Sequence, residues 1–165
     1  MEPYRLRHWK PRGSTQSISF FSCARPGRSK GRNSMVSDEF VHSWVANLPG
    51  ETCIALVSLL GTKTDGTSEY SFYSFCGGFE LQSERRRRVP FQEWLDRWYP
   101  DRQIRIVDHP TQDFTSVPPD TLAAIKVDVN SLLEAGRTVI LLDSGGETRT
   151  SQVCRYLDFV EDFAP

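Results

Sequence analysis

Asp143 and Arg149 stand six positions apart in the run at residues 138–150, TVILLDSGGETRT, and are the side chains best placed for chemistry on an anion. The run reads as an apolar strand, a small-residue loop and an Arg-Thr pair opening a helix. A loop passing from a buried strand into a helix turns several backbone N–H groups toward one concavity, and Gly145 and Gly146 let that backbone approach a ligand closely. Such a concavity suits an oxyanion, with Ser144, Gly145, Gly146, Glu147, Thr148, Arg149 and Thr150 as its candidate lining. Arg149 would add a planar, two-pronged donor. Asp143 sits where a nucleophile is expected.

Stepping outward, the pattern predicts the elements that must hold this loop. Ser37 is a good helix N-cap, and Phe40, Val41, Trp44, Val45 and Leu48 recur at helical spacing until Pro49-Gly50. Residues 53–60, CIALVSLL, form a nearly continuous apolar run, the pattern of a strand covered on both faces of a parallel sheet. Earlier, residues 18–23 read as a first strand, followed by a turn through Arg25, Pro26 and Arg28. Pro90 starts a short helix with Phe91, Trp94, Leu95 and Trp98 on one side. Residues 103–107 alternate like a strand and lead to Asp108-His109-Pro110-Thr111-Gln112-Asp113, where Asp108 or Asp113 could stabilise a turn. His109 reads as a loop residue. After Pro118-Pro119 a helix carries Leu122, Ile125, Val129, Leu132 and Leu133 to a stop at Gly136. The last helix is expected from about residue 149 to 163, with Val153, Tyr156, Leu157 and Val160 inward.

Helices alternating with buried strands argue for an α/β fold, a central, mostly parallel sheet flanked by helices. The spacing Asp143-x5-Arg149-Thr150, between strand and helix, resembles the Cys-x5-Arg-Ser/Thr loop of the dual-specificity protein tyrosine phosphatases, without the cysteine. Pro110-Thr111-Gln112-Asp113, followed by Pro118, resembles the loop that carries that family's general acid, thirty positions ahead of the nucleophile position. The resemblance implies a phosphatase-like fold, Asp113 as general acid toward the leaving oxygen, Arg149 on the phosphoryl group and Asp143 in place of the attacking thiolate. It also implies further helices after residue 163, so the chain is C-terminally short by that measure.

Composition sets the outer bounds. The 165 residues suit one domain, with residues 1–17 as a basic N-terminal arm and 18–165 as the body. Hydrophobic residues at 38%, charged at 25% and a formal net charge of −1 argue against disorder and against a globally basic nucleic-acid binder. No apolar run approaches the roughly 20 residues of a membrane span, and the N-terminus lacks a signal peptide's apolar stretch. A cytoplasmic protein is expected. Cys23, Cys53, Cys76 and Cys154 contain no C-x-x-C pair, and His8, His42 and His109 do not cluster with them, so no zinc or other cofactor is expected. Cys53, in an apolar strand, and Cys154 read as buried small hydrophobes. Residues 70–75 resemble an edge strand, and the arginine run at 85–88 is either a solvated loop or a polyanion contact.

The chemistry favours binding over turnover. A carboxylate is a poorer nucleophile than a thiolate toward phosphorus, and aspartyl-phosphate enzymes recruit magnesium through carboxylates that this loop does not offer. A carboxylate about 4 Å from a phosphate repels each unit of its charge by roughly 1–4 kcal/mol. The expectation is a catalytically impaired phosphatase-like protein with Asp143 and Arg149 paired, binding a phosphorylated protein, a small phosphate ester or a protein partner. Three alternatives stay open. One is an active phosphoric monoester hydrolase using Asp143, with Asp113 as acid. Another is a natural cysteine replaced by Asp143, and the third a polyanion-binding adaptor acting through the arginine runs. A homodimer is equally open.

Overall fold

The computed structural model describes residues 5–25, 38–61, 91–112, 115–143 and 147–163. The apolar runs at residues 54–58 and 138–143 become the two central strands, β3 (Ile54–Ser58) and β5 (Thr138–Asp143), both almost wholly buried. They pair in parallel from Ile54 opposite Thr138 to Ser58 opposite Leu142. β4 (Arg105–Asp108) lies parallel on the outer side of β3, and β2 (Phe20–Ala24) lies parallel on the other side of β5. Two antiparallel strands, β1 (Arg7–Pro11) and β6 (Phe159–Glu161), complete a six-stranded sheet in the order β4-β3-β5-β2-β1-β6.

Helices cover both faces, because strands buried on both sides must find apolar partners on both. On one face α1 (Asp38–Ala46) and α2 (Phe91–Trp98) pack Val41, Trp44, Val45, Phe91, Trp94 and Leu95 against Ile54, Leu56, Ile140 and Leu142. On the other, α3 (Pro119–Glu134) and α4 (Thr148–Tyr156) bring Leu122, Ile125, Val129 and Val153 onto Val57, Val139 and Leu141. The period-2 alternation along β5 thus assigns its even positions to one core and its odd ones to the other.

Several sequence expectations change. The segment read as an arm contributes a strand: Trp9 is buried with its indole N–H donating to Ser22 Oγ (2.8 Å), and Arg7 joins Glu161 through Nε and Nη2 (3.2 and 2.9 Å). The last helix stops at Tyr156. Asp158 then takes a left-handed backbone, φ 61°, which breaks the helix and lets residues 159–161 run back as β6 beside β1. Tyr156 is accordingly exposed rather than inward. Cys53 is partly exposed and precedes β3, with φ 59° and its thiol donating to Gln103 Oε1 (3.1 Å). β4 begins two residues later than expected, after a 3-10 turn at Pro100–Arg102. The features placed on Ser37, Pro90, Cys76, residues 70–75 and the arginines at 85–88 lie outside the described residues.

Candidate functional site

The four parallel strands end along one edge of the sheet, where crevices in open α/β folds take their ligands. Here Leu59 follows β3, His109 and Thr111 follow β4, Asp143 closes β5, and Arg25 follows β2. The Arg25 backbone N–H donates to the Asp143 carbonyl (3.0 Å), carrying the β2–β5 ladder to the rim. α4 starts at this edge with Thr148, Arg149 and Thr150 as its first three helical residues.

Asp143 and Arg149 are both buried, at 3% and 2% exposure, so the sequence-predicted pair does meet inside the protein. The carboxylate divides its oxygens. Oδ2 accepts the Thr150 backbone N–H (3.0 Å) and lies 3.3 Å from the Thr150 hydroxyl, while Oδ1 lies 3.7 Å from Arg149 Nη2. The third N–H of a helix has no partner within the helix, and the N-cap residue Glu147 makes no side-chain cap. Asp143 therefore does what an N-cap side chain would do, with its negative charge at the positive end of the helix dipole.

Arg149 is turned mainly toward the protein. Its Nη1 donates to the Leu59 carbonyl (3.0 Å), the Thr111 hydroxyl (2.9 Å) and the Thr111 carbonyl (3.3 Å), two hydrogens shared among three acceptors. Thr111 Oγ1 in turn donates to Leu59 O (2.7 Å), and the Thr111 backbone N–H reaches the same oxygen (3.1 Å). One carbonyl thus gathers three donors, two of them from Thr111. Gly61 makes this crossing possible. A Cβ there would sit 2.4 Å from the Thr111 carbonyl oxygen and 2.9 Å from its nitrogen, closer than real atoms approach.

The segment around Asp113 is tied down on either side. Thr111 binds Leu59 and Arg149, and Val117 is held through both its N–H and its carbonyl by the Gln152 side chain (2.8 and 3.1 Å). Its approach is fixed by His109, whose Nε2 lies 2.6 Å from Asp128 Oδ2 on α3, a partner that the sequence did not suggest. The chain on each side of position 113 therefore contacts α4. Asp113, Ser144, Gly145 and Gly146 themselves lie outside the described residues. Glu147 is exposed, with its carboxylate 4.0 Å from Arg7 Nη1.

Neither of the two buried cysteines among the described residues carries a reactive thiolate. Burial pushes the Cys23 thiol up to about 12, and burial does the same to Cys154, where Arg7 opposes and Glu161 adds to the shift. Both stay thiols at neutral pH. Among the described residues no group of His, Cys, Asp and Glu side chains could hold a metal ion, and no helix is long and apolar enough to cross a membrane.

The crossing of Leu59, Gly61 and Thr111 against Arg149 is the part of this neighbourhood that sequence reasoning missed. Thr111 stands inside the motif quoted for the acid loop, yet its contact lies 38 positions away and two of the acceptors are backbone carbonyls.

No protein-family model matches this chain, and no curated protein does. Among solved structures it is similar to kinase associated phosphatase, in a form whose catalytic-site cysteine was substituted by serine. The match has a TM-score of 0.55 and 18% identity, and covers 94% of this chain and 73% of that one. At that identity the likeness is one of fold: the mostly parallel six-stranded sheet flanked by helices is the dual-specificity phosphatase fold.

Proposed function

We propose that this phosphatase-like fold is a catalytically impaired binding protein, a pseudophosphatase whose ligands are phosphorylated or otherwise anionic. One observation carries the reading. At the head of α4 a buried carboxylate, Asp143, takes the helix N–H and faces Arg149, whose Nη1 is committed to Leu59 and Thr111. The attractions a phosphatase would use for a phosphoryl group, the helix dipole and the guanidinium, already act on a resident negative group. Asp113, Arg149 and residues 144–150 keep the family roles in this proposal, as remnants of an oxyanion cradle. A cytoplasmic setting belongs to the same proposal.

The test is to return the sulfur. Asp143→Cys removes the resident charge and places a thiol at a helix N-terminus beside a guanidinium, where thiol pKa values fall. Hydrolysis of an aryl phosphate should rise roughly 10²-fold or more above the unaltered protein, with a phosphocysteine trapped by rapid quench. A folded Asp143→Cys protein that neither turns over the substrate nor binds vanadate would remove the cradle from the account.

A further inference from the structure

Beside the site just described lies a groove of which the proposed reading uses Thr148 alone. It has a volume of about 600 Å³ and opens between residues 115–116 and the outer side of α4, lined by Thr115, Ser116, Thr148, Ser151, Gln152 and Arg155. Positions 148, 151, 152 and 155 recur at helical spacing and so share one face of α4, turned away from the core that Val153 and Cys154 join. The Gln152 amide is spent at both ends on the Val117 backbone, which fixes the opposite wall. Thr115 likewise donates its hydroxyl to Gln112 O (2.7 Å).

What remains to meet a ligand is one-sided. Four of its six described lining residues carry hydroxyls and one a guanidinium, and among the described residues no carboxylate lines the space. The side chains of Ser116, Thr148, Ser151 and Arg155 make no hydrogen bond or ion pair with another described residue. Rotating hydroxyls around a planar cation can all donate at once to an acceptor-only guest, and the guanidinium, which donates but cannot accept, favours a negatively charged one.

We propose that this groove binds a phosphoryl dianion, with Arg155 as its counter-charge and Ser116, Thr148 and Ser151 as hydroxyl donors. The groove adjoins the cradle at Asp143 and shares Thr148 with it, but its counter-charge is Arg155 rather than Arg149, which faces the resident carboxylate. It does not depend on whether the cradle is catalytic. Its volume admits the residue or small molecule that carries the phosphoryl group as well as the group itself.

Isothermal titration with a phosphoserine peptide of otherwise neutral residues, its unphosphorylated twin and inorganic phosphate tests this directly. The phosphopeptide should bind and the twin should not. Arg155→Gln should weaken the phosphopeptide by about tenfold or more, the loss of a charge-assisted contact. Arg105→Gln, which removes the same charge on β4, should leave affinity unchanged. Binding of inorganic phosphate alone would identify a free anion as sufficient, and binding of the peptide only would identify a phosphorylated residue; either carries the assignment. Because Arg155 is exposed, its loss should not move the melting temperature, and a Ser151→Ala, Thr148→Val variant gives an independent reading of the same wall. Equal affinity in Arg155→Gln, or no binding of either phosphate probe by the unaltered protein, overturns the proposal.

Discussion

Replacing Arg149 by methionine should destabilise the protein by about 3–5 kcal/mol, the cost of leaving one member of a buried ion pair without its partner. For a domain of this size that is roughly a 10 °C drop in melting temperature. The cause is local. Asp143 is 3% exposed and would lose the guanidinium beside it, while Thr111 and its carbonyl would lose the one that binds them to α4. The Asp143→Asn, Arg149→Met double variant should recover a substantial part of the loss, because an amide oxygen can still accept the Thr150 N–H and no unpaired charge remains. A single variant within about 0.5 kcal/mol of the unaltered protein, the range of ordinary surface changes, would show that Arg149 holds little of the fold and is reserved for a ligand. Chemical denaturation followed by tryptophan fluorescence reads all three.

Gly61→Ala should produce the second large effect, about 1–3 kcal/mol by overpacking. The added methyl would meet the Thr111 backbone at 2.4 Å from oxygen and 2.9 Å from nitrogen, and backbone cannot swing aside as a side chain does. Relief requires the Thr111 segment to move away from Leu59, stretching the two hydrogen bonds that Thr111 makes to its carbonyl and the one from Arg149. The amide resonances of His109, Thr111 and Gln112 should shift together with those at the start of α4. Gly136→Ala is the informative contrast. Its φ of +80° makes any side chain strained, yet nothing lies within 4 Å, so its cost should stay near the roughly 1 kcal/mol of a left-handed backbone and its spectral changes should remain local. Two alanines with equal and purely local effects would mean that the Gly61 crossing does not tie the 109–112 segment to α4.

The parts of the fold that were legible in the sequence are those with a strong period. The continuous apolar run of β5 and the helical repeat of α3 had no competing reading, and Leu122, Ile125 and Val129 are buried as that repeat requires. β1 was hidden because Arg7–Pro11 carries a single buried apolar residue, Trp9, and finds its partners at residues 20–22 and across the chain at 159–161. β6 was hidden for the opposite reason: Val153, Leu157 and Val160 continue a helical period, and only the backbone reversal at Asp158 shows that the helix has ended. At the site, the strand and the helix could be read because small residues between an apolar run and an Arg-Thr pair have few other uses. The crossing of Leu59, Gly61 and Thr111 could not, since a backbone carbonyl that accepts a guanidinium leaves no mark on residue type.

The central question is whether the carboxylate of Asp143 fills a phosphatase-like cradle in place of an attacking group. The most direct measurement is steady-state hydrolysis of an aryl phosphate by the unaltered protein beside Asp143→Asn, both purified to the same homogeneity. The account predicts no turnover above background in either. Turnover by the unaltered protein that disappears on Asp143→Asn would contradict it, and would make Asp143 the nucleophile of an active phosphoric monoester hydrolase.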